Sequence, residues 1–378
     1  MQCQPVFGVH CVRCFWKAAV IAGSLLVGAC QPISKLPSLP PDEIAAEKRR
    51  QEIDQLRDYF AQLNRLYNVA FRIRVANSDD CKDRVGAQIG LNAGTVASLP
   101  RKYRSFSHEA LSVSWTQATV LSVAETSPAA VAGIKPGDHL LTFNNEPVPS
   151  ARTAGWIAEY VRGNGYRPIR ILVRRDKVDE MHVVTPVKAC AIPIELRTEA
   201  QPNAVTGDDG IIIFSGVMRL ARTDPQLAHV VGHELAHSNL GHLDKQRTNT
   251  GGALIDAGIT AGGIPTRGAF SRELARAGAN AFSVAFEREA DYVGAYYAAR
   301  AGYDLAGTED FWRALALESP DSLRIAGDHP VTPVRFVQMQ QVAAEIAEKK
   351  RRGLPLNPEL RSTEADAKPT PTQGAEIH

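Results

Sequence analysis

Val231-Gly232-His233-Glu234-Leu235-Ala236-His237 is the stretch whose reading decides the rest of this sequence. On a helix, residues i and i+4 stand one turn apart on one face, so His233 and His237 can grip a single metal ion. Neutral imidazole suits zinc, and two such ligands leave coordination positions open for a third ligand and for water. Glu234, beside the first histidine, is placed to take a proton from a metal-activated water. The flanks predict the helix that this geometry needs. Thr223-Asp-Pro-Gln226 has capping-box spacing with Pro225 in the first turn. Leu227, Val230, Val231 and Leu235 give a buried side, and Gly241 is placed to end it.

Two histidines do not complete a catalytic zinc site, so a third protein ligand is required. The candidates lie in Phe286-Glu-Arg-Glu-Ala-Asp-Tyr-Val-Gly294, inside a helical pattern that runs to Arg300. Glu287 and Asp291 share one helix face, whereas Glu289 points elsewhere. Two carboxylates facing an interior are costly unless something cationic meets them there. This assigns Glu287 to the metal and Asp291 to orienting a ligand histidine through its free ring N–H.

Together, His233-Glu-Leu-Ala-His237 and Glu287-Arg-Glu-Ala-Asp291 resemble the gluzincin zinc metallopeptidase family of the CAAX-prenyl protease, HtpX and BepA. In that family the glutamate of the ExxxD segment is the third zinc ligand, which the resemblance carries onto Glu287 rather than Glu289. Asn203-Ala204 and Ile211 to Gly216 are similar to the family's approach to the motif helix. Asp328-His-Pro-Val-Thr-Pro-Val-Arg335 is similar to its C-terminal His-Pro segment. The resemblance thereby implies an oxyanion or gating role for His329, with Arg335 near it. It covers 190–345 well and 42–75 loosely. Unlike the best-known members, this sequence has no legible transmembrane helix, and another unit precedes the metal helix.

That unit spans 82–188 and is mostly strand-like, with a helical stretch near Ala154 to Val161. Ser127-Pro-Ala-Ala130, Ala132-Gly-Ile134 and Pro136-Gly-Asp138 before an apolar strand resemble a PDZ domain, with Ile169 to Val173 as its closing strand. Arg84 to Leu91 is the candidate for its first strand and carboxylate-binding loop. A PDZ domain adds an extended peptide to a sheet edge, so the resemblance implies docking of protein or peptide chain termini.

A chain of 378 residues predicts more than one domain. A formal net charge of +2, with the two signs interspersed, gives no reason to propose nucleic acid as a partner. At the N-terminus, Arg13 and Lys17 precede an apolar run from Ala18 to Val27 that is too short to span a bilayer. Leu26-Val-Gly-Ala-Cys30 resembles a bacterial lipobox, implying a signal peptide over 1–29 and acylation of Cys30. Of the six cysteines, three precede Cys30, leaving Cys81 and Cys190 just outside the two ends of the PDZ-like unit. The ends of an inserted domain lie close together, so a disulfide is expected at its neck.

The fold expected is α+β: a mainly helical zincin-type domain with a small edge sheet, carrying an inserted, mostly β PDZ-like domain. In chain order it predicts a tether over 30–41, a helix from Asp42 to Tyr67 and a strand from Val69 to Val75 in 42–81. The PDZ-like unit over 82–188, the peptidase domain over 189–348 and a disordered tail over 349–378 follow. Gly210-Ile-Ile-Ile-Phe-Ser-Gly216 reads as a buried or edge strand, and the Gly/Ala-rich 244–280 as a lid or a small-residue helical hairpin. His229 reads as a flank residue and His242 as a partner of the helix C-terminus. The function expected is a Zn2+-dependent metalloendopeptidase of the bacterial envelope, lipid-anchored and facing the periplasm. Glu234 is the base, His329 a candidate oxyanion stabiliser, and misfolded envelope proteins are the substrates. The alternative is a chaperone-like scaffold with a latent or structural zinc site.

Overall fold

The computed structural model describes Ser34 and residues 36–245, 270–318 and 333–359, with 270–283 as backbone only. Cys30 and its preceding segment, residues 246–269, His329 and the chain beyond Glu359 lie outside the described residues. By its contacts the chain divides into one unit up to Gln51 and a second from Glu52 onward. In the first, the charged start of helix α1 (Pro41–Ala76) is tied along its own axis by Arg50–Glu47 at 2.9 Å. Among the described residues no helix is long and apolar enough to cross a membrane.

Helix α1 replaces two expected elements, for the strand predicted over Val69 to Val75 is its last two turns. The alternation Val69, Phe71, Ile73 also satisfies helical spacing. Leu66, Val69, Ala70 and Ile73 recur at threes and fours and are all buried. The intervening arginines reach backbone carbonyls of other elements instead of solvent. Arg72 donates to Ala301 O at 2.7 Å and Arg74 to Cys190 O at 2.8 Å.

The inserted unit opens with β1 (Val85–Gln88) and β2 (Leu91–Gly94). After α2 (Arg104–Leu111) come β3 (Thr119–Val123), the one-turn α3 (Pro128–Val131), β4 (His139–Phe143) and β5 (Glu146–Pro147). Then follow α4 (Thr153–Asn164), β6 (Ile169–Arg175), β7 (Val178–Val184) and β8 (Val187–Cys190). The sheet order is β2-β3-β4-β6-β7, with β5 also on β4. Its core is Phe143, Ile157, Ile169, Ile171 and Val173, and β6 supplies three of these by burying every second side chain. The PDZ-like signature has a structural basis. Ser127 caps α3 by accepting the Ala130 N–H. Asp138 is buried, accepts the Lys135 N–H, and takes both ends of the Arg175 guanidinium at 2.7 Å.

Arg84 to Leu91 is not one strand. Val85–Gln88 pairs with β8 outside the sheet, and the sheet strand begins only at Leu91. Gly90 turns the chain between them at φ +74°; a Cβ there would sit 2.2 Å from Ser127 Cβ. The β1–β8 pair is the neck of the insertion, with Val85 opposite Cys190. Cys81 and Cys190 are joined by a disulfide, their Cα atoms 5.6 Å apart.

Beyond the neck lie β9 (Ile194–Arg197), β10 (Ala204–Gly207) and β11 (Gly210–Phe214), in the order β10-β11-β9. The Ile211–Ile213 run is therefore central, with Ile211 and Ile213 buried, and the edge beside the motif helix is β10. Helix α5 (Ser215–Leu220) leads to α6 (Asp224–Leu240). The capping box is present in full, and Gly241 closes α6 at φ +66°. Arg65 of α1 holds the start of α6 through Asp224 Oδ1 at 2.8 Å and Ala221 O at 2.6 Å.

The remaining helices are α7 (Phe270–Arg300), α8 (Glu309–Glu318) and α9 (Pro333–Arg351). Helix α7 already begins inside the Gly/Ala-rich stretch. The first residues of the tail expected as disordered from Lys349 are instead ordered. Helix α9 runs to Arg351, and Arg300 donates to Leu356 O at 2.8 Å and Asn357 Oδ1 at 3.1 Å. A lack of apolar period does not free a segment whose carbonyls satisfy a neighbouring arginine.

Candidate metal centre

The centre is made by the crossing of α6 and α7, and two glycines set how closely they cross. A Cβ on Gly232 would lie 2.4 Å from Gly294 O, and one on Gly294 would lie 2.5 Å from His233 N. Bare backbone against bare backbone brings the rows Gly232–His233–His237 and Gly294–Asp291–Glu287 together, running in opposite directions. Glu287, Asp291 and Gly294 are spaced i, i+4 and i+7, one face of α7.

On that contact His233, His237 and Glu287 each aim one ligand atom at a common point, with all three atoms within 4.8 Å of one another. The two Nε2 atoms are 3.0 Å apart. Glu287 places one oxygen 3.4 Å from His233 Nε2 and the other 3.1 Å from His237 Nε2. Two imidazole nitrogens and a carboxylate oxygen are a catalytic zinc donor set. The residues therefore fit the ion in both chemistry and convergence.

Each ligand is held from behind. Asp291 Oδ1 accepts the His233 Nδ1–H at 2.9 Å, which leaves Nε2 to face the metal point. Arg335, from the first turn of α9, donates to Asp291 from Nε at 2.6 Å and Nη2 at 2.8 Å. Its Nη1 lies 3.0 Å from Glu287 Oε2, and its guanidinium stacks 4.6 Å from the Trp312 ring centre. Burial would push the Asp291 carboxyl up, yet Arg335 and His233 together hold it well below the usual carboxylate range. The expected partners Asp291 and Arg335 are thus brought to the ligands.

Three more participants differ from the sequence reading, which gave His242 and Glu289 other roles and did not single out Thr206. His242 is buried and stacked on Phe286, with ring centres 4.7 Å apart. Its Nδ1 faces His237 Nδ1 at 3.0 Å, and its Nε2 faces Glu289 at 3.0 Å. One tautomer chain satisfies all of this: His237 Nδ1–H donates to His242 Nδ1, and His242 Nε2–H donates to the Glu289 carboxylate. Glu289 therefore serves the second ligand as Asp291 serves the first. His242 sits one turn past His237, a spacing that could have suggested it. Thr206 on β10 is the third. Its hydroxyl lies 2.7 Å from Glu234 Oε2 and 2.9 Å from Glu234 O. It has one proton to give, and the carboxylate is both nearer and the stronger acceptor. No sequence spacing relates Thr206 to Glu234.

His229 is also buried on α6, and among the described residues neither of its ring nitrogens has a hydrogen-bond partner. Burial pushes its pKa down to about 4, so it stays neutral against Trp312. An unsatisfied buried polar group costs about 1–3 kcal/mol. His229→Leu is expected to match or exceed the thermal stability of the parent protein and to keep its metal content. A fall in both, by melting and metal analysis, would give His229 a place in the centre.

Comparison with known proteins agrees with these parts of the chain. Residues 186–343 match the family model "Peptidase family M48", and residues 119–175 match "PDZ domain". One solved structure that matches is the crystal structure of the HtrA3 PDZ domain bound to a phage-derived ligand (FGRWV). It is 23% identical with a TM-score of 0.22, and the match covers 28% of this chain and 88% of that chain. No curated protein matches the chain. M48 peptidases are zinc-dependent metalloproteases. The match over residues 186–343 thus indicates a zinc metalloprotease, a hydrolase acting on peptide bonds, with a PDZ domain ahead of its metal helix.

Proposed function

We propose that the protein is a metalloendopeptidase in which His233, His237 and Glu287 hold a single zinc ion and Glu234 is the general base. The convergence of the three ligand atoms beside a carboxylate steadied by Thr206 carries this reading. Bound zinc would polarise the scissile carbonyl and lower the pKa of water at the site. Glu234 Oε accepts the proton of the attacking water and later delivers it to the leaving amine. The β10 edge beside Glu234 offers backbone groups to an extended substrate and holds it in register across the centre. His329, near Arg335 in sequence, is proposed to stabilise the oxyanion.

The PDZ domain docks or gates chain termini of the substrates. Cys30, if acylated, anchors the enzyme in the bacterial envelope, facing the periplasm. There the proposed role is quality control of misfolded or misassembled proteins. The lipobox-like segment and the PDZ domain support this reading.

Metal removal tests the reading. Purified protein is expected to carry one zinc per chain, to lose casein cleavage on treatment with phenanthroline, and to recover it on adding zinc. The stripped protein is expected to melt at lower temperature, because an ion that binds only the folded state stabilises that state. Full-rate cleavage by zinc-free protein would overturn it.

A further inference from the structure

The neck of the insertion grips the last turn of the metal helix α6. Arg84 donates from Nη1 to Ser238 Oγ at 2.7 Å and from Nη2 to the Ser238 carbonyl. Asn239 Nδ2 donates to Cys81 Sγ and to the Tyr297 hydroxyl of α7, both at 3.3 Å. The same turn carries the chemistry. Gly241 closes it by donating to the His237 and Ser238 carbonyls, and His242 just beyond backs the His237 ring. Backbone bonds make Arg84 and the two cysteines one unit. Arg84 N–H donates to Cys81 O, and Ala191 N–H to Arg84 O, both at 2.8 Å. The β1–β8 ladder at the neck has only the pairs from Val85–Cys190 to Gln88–Val187. A two-stranded ladder is marginal by itself, so the disulfide is what closes the neck.

The sulfur pair is placed to act on that turn. Cys81 is 1% exposed and Cys190 0%. Two thiol sulfurs cannot sit as close as two bonded ones, and dense packing lets them part only by moving a neighbour. Asn239, already against Cys81 Sγ, is among the neighbours that must give. A thiol also has a proton to place. Asn77 O lies 3.6 Å from Cys81 Sγ and 3.4 Å from Cys190 Sγ. Asn239 Oδ1 is buried and among the described residues has no hydrogen-bond partner. Reduced sulfurs thus have acceptors at Asn77 and, once its amide turns over, at Asn239, whereas the disulfide can only accept. Asn239 meets a different partner in each redox state.

We infer that the Cys81–Cys190 disulfide positions the second zinc ligand. Acting through Asn239 and Arg84, it holds His237 at the metal point, so the centre binds zinc tightly only in the oxidised chain. The inference rests on the reading that His233, His237 and Glu287 hold zinc, and adds a covalent control over that site. Closing the bond removes one proton and one electron from each thiol. A disulfide-bearing oxidant takes both protons and both electrons and leaves as two thiols. Such an oxidant meets the two sulfurs before the neck closes in folding, and the chain with free thiols is the latent form of the enzyme.

The test refolds the full chain from its reduced state either with oxidised glutathione or with tris(2-carboxyethyl)phosphine, and counts thiols by alkylation. Zinc affinity is read by competition with a chromophoric chelator. The reduced form is expected to bind zinc about ten- to a hundredfold more weakly, the range seen when groups behind a metal ligand are lost. Hydrogen exchange of the zinc-free reduced form is expected to be faster at 236–242 and unchanged at 224–232, where Arg65 holds the helix start. Cys81→Ser with Cys190→Ser is expected to match the reduced form under both conditions. Asn239→Ala, with the disulfide intact, is expected to weaken zinc binding and to narrow the gap between the two redox forms. Equal zinc affinity in both forms, even with a lower melting temperature on reduction, makes the disulfide a staple of the insertion and overturns the inference. Faster exchange over the whole peptidase domain assigns the zinc loss to unfolding and also overturns it. Zinc bound by neither form removes the metal reading itself, and the inference with it.

Discussion

Glu234→Gln is expected to lower peptide-bond cleavage by about a hundred- to ten-thousandfold while the zinc content and melting temperature stay at parent levels. A positioned general base contributes about 10²–10⁴ in rate, and an amide cannot take the proton. Glu234 is not among the three converging ligands, so the metal affinity has no reason to change. The glutamine is isosteric, and its amide oxygen can still accept the Thr206 hydroxyl that Glu234 Oε2 accepts at 2.7 Å. The side chain is buried, and exchanging a buried carboxylate for a neutral amide carries no large desolvation penalty. Casein cleavage, metal analysis and thermal melting on the same preparation decide it. Cleavage within tenfold of the parent would move the base to another group. Loss of zinc alongside activity would mean that Glu234 helps hold the metal.

Gly294→Ala is expected to destabilise the protein by about 3 kcal/mol or more and to reduce bound zinc at the same time. The added methyl would lie 2.5 Å from His233 N, 2.7 Å from His233 Cα and 2.8 Å from Gly232 C. All three are main-chain atoms, which cannot swing aside as a side chain can, so the two helices must part. Glu287 and Asp291 lie on the same face of α7 and move away from His237 and His233 with it. The built-in control is Gly163→Ala. Gly163 is also helical but has nothing within 4 Å of its added Cβ, so its substitution is expected to be neutral or stabilising. Melting and zinc analysis of the two variants side by side separate a helix-propensity effect from a packing effect. Parent-like stability and full zinc in Gly294→Ala would show that the crossing is looser than its geometry.

These two residues also mark the boundary of what could be read in advance. His233, Glu234 and His237 lie within two consecutive turns of one helix, so their mutual geometry is local and the sequence carries it whole. Glu287 and Asp291 were separable from Glu289 for the same reason, since 3.6 residues per turn places the first two on one face. The PDZ turn was legible because Ser127 and Asp138 each accept a backbone N–H three residues away, at Ala130 and Lys135. The end of α1 was misread because Val69, Phe71 and Ile73 fit two periods at once, and only the neighbours on both sides choose between them.

What the amino-acid sequence determined by itself was the chemistry available: a zinc donor set, a base, a peptide-docking module, and two cysteines flanking it. What only the tertiary structure decided was how those groups meet. The Gly232–Gly294 contact, the Thr206 hydroxyl on Glu234 and the His242–Glu289 pair behind His237 each join residues distant in sequence. Hydrophobic periodicity fixes which face of an element is buried, but leaves open which other element it is buried against. That choice is made by close packing of the whole chain at once.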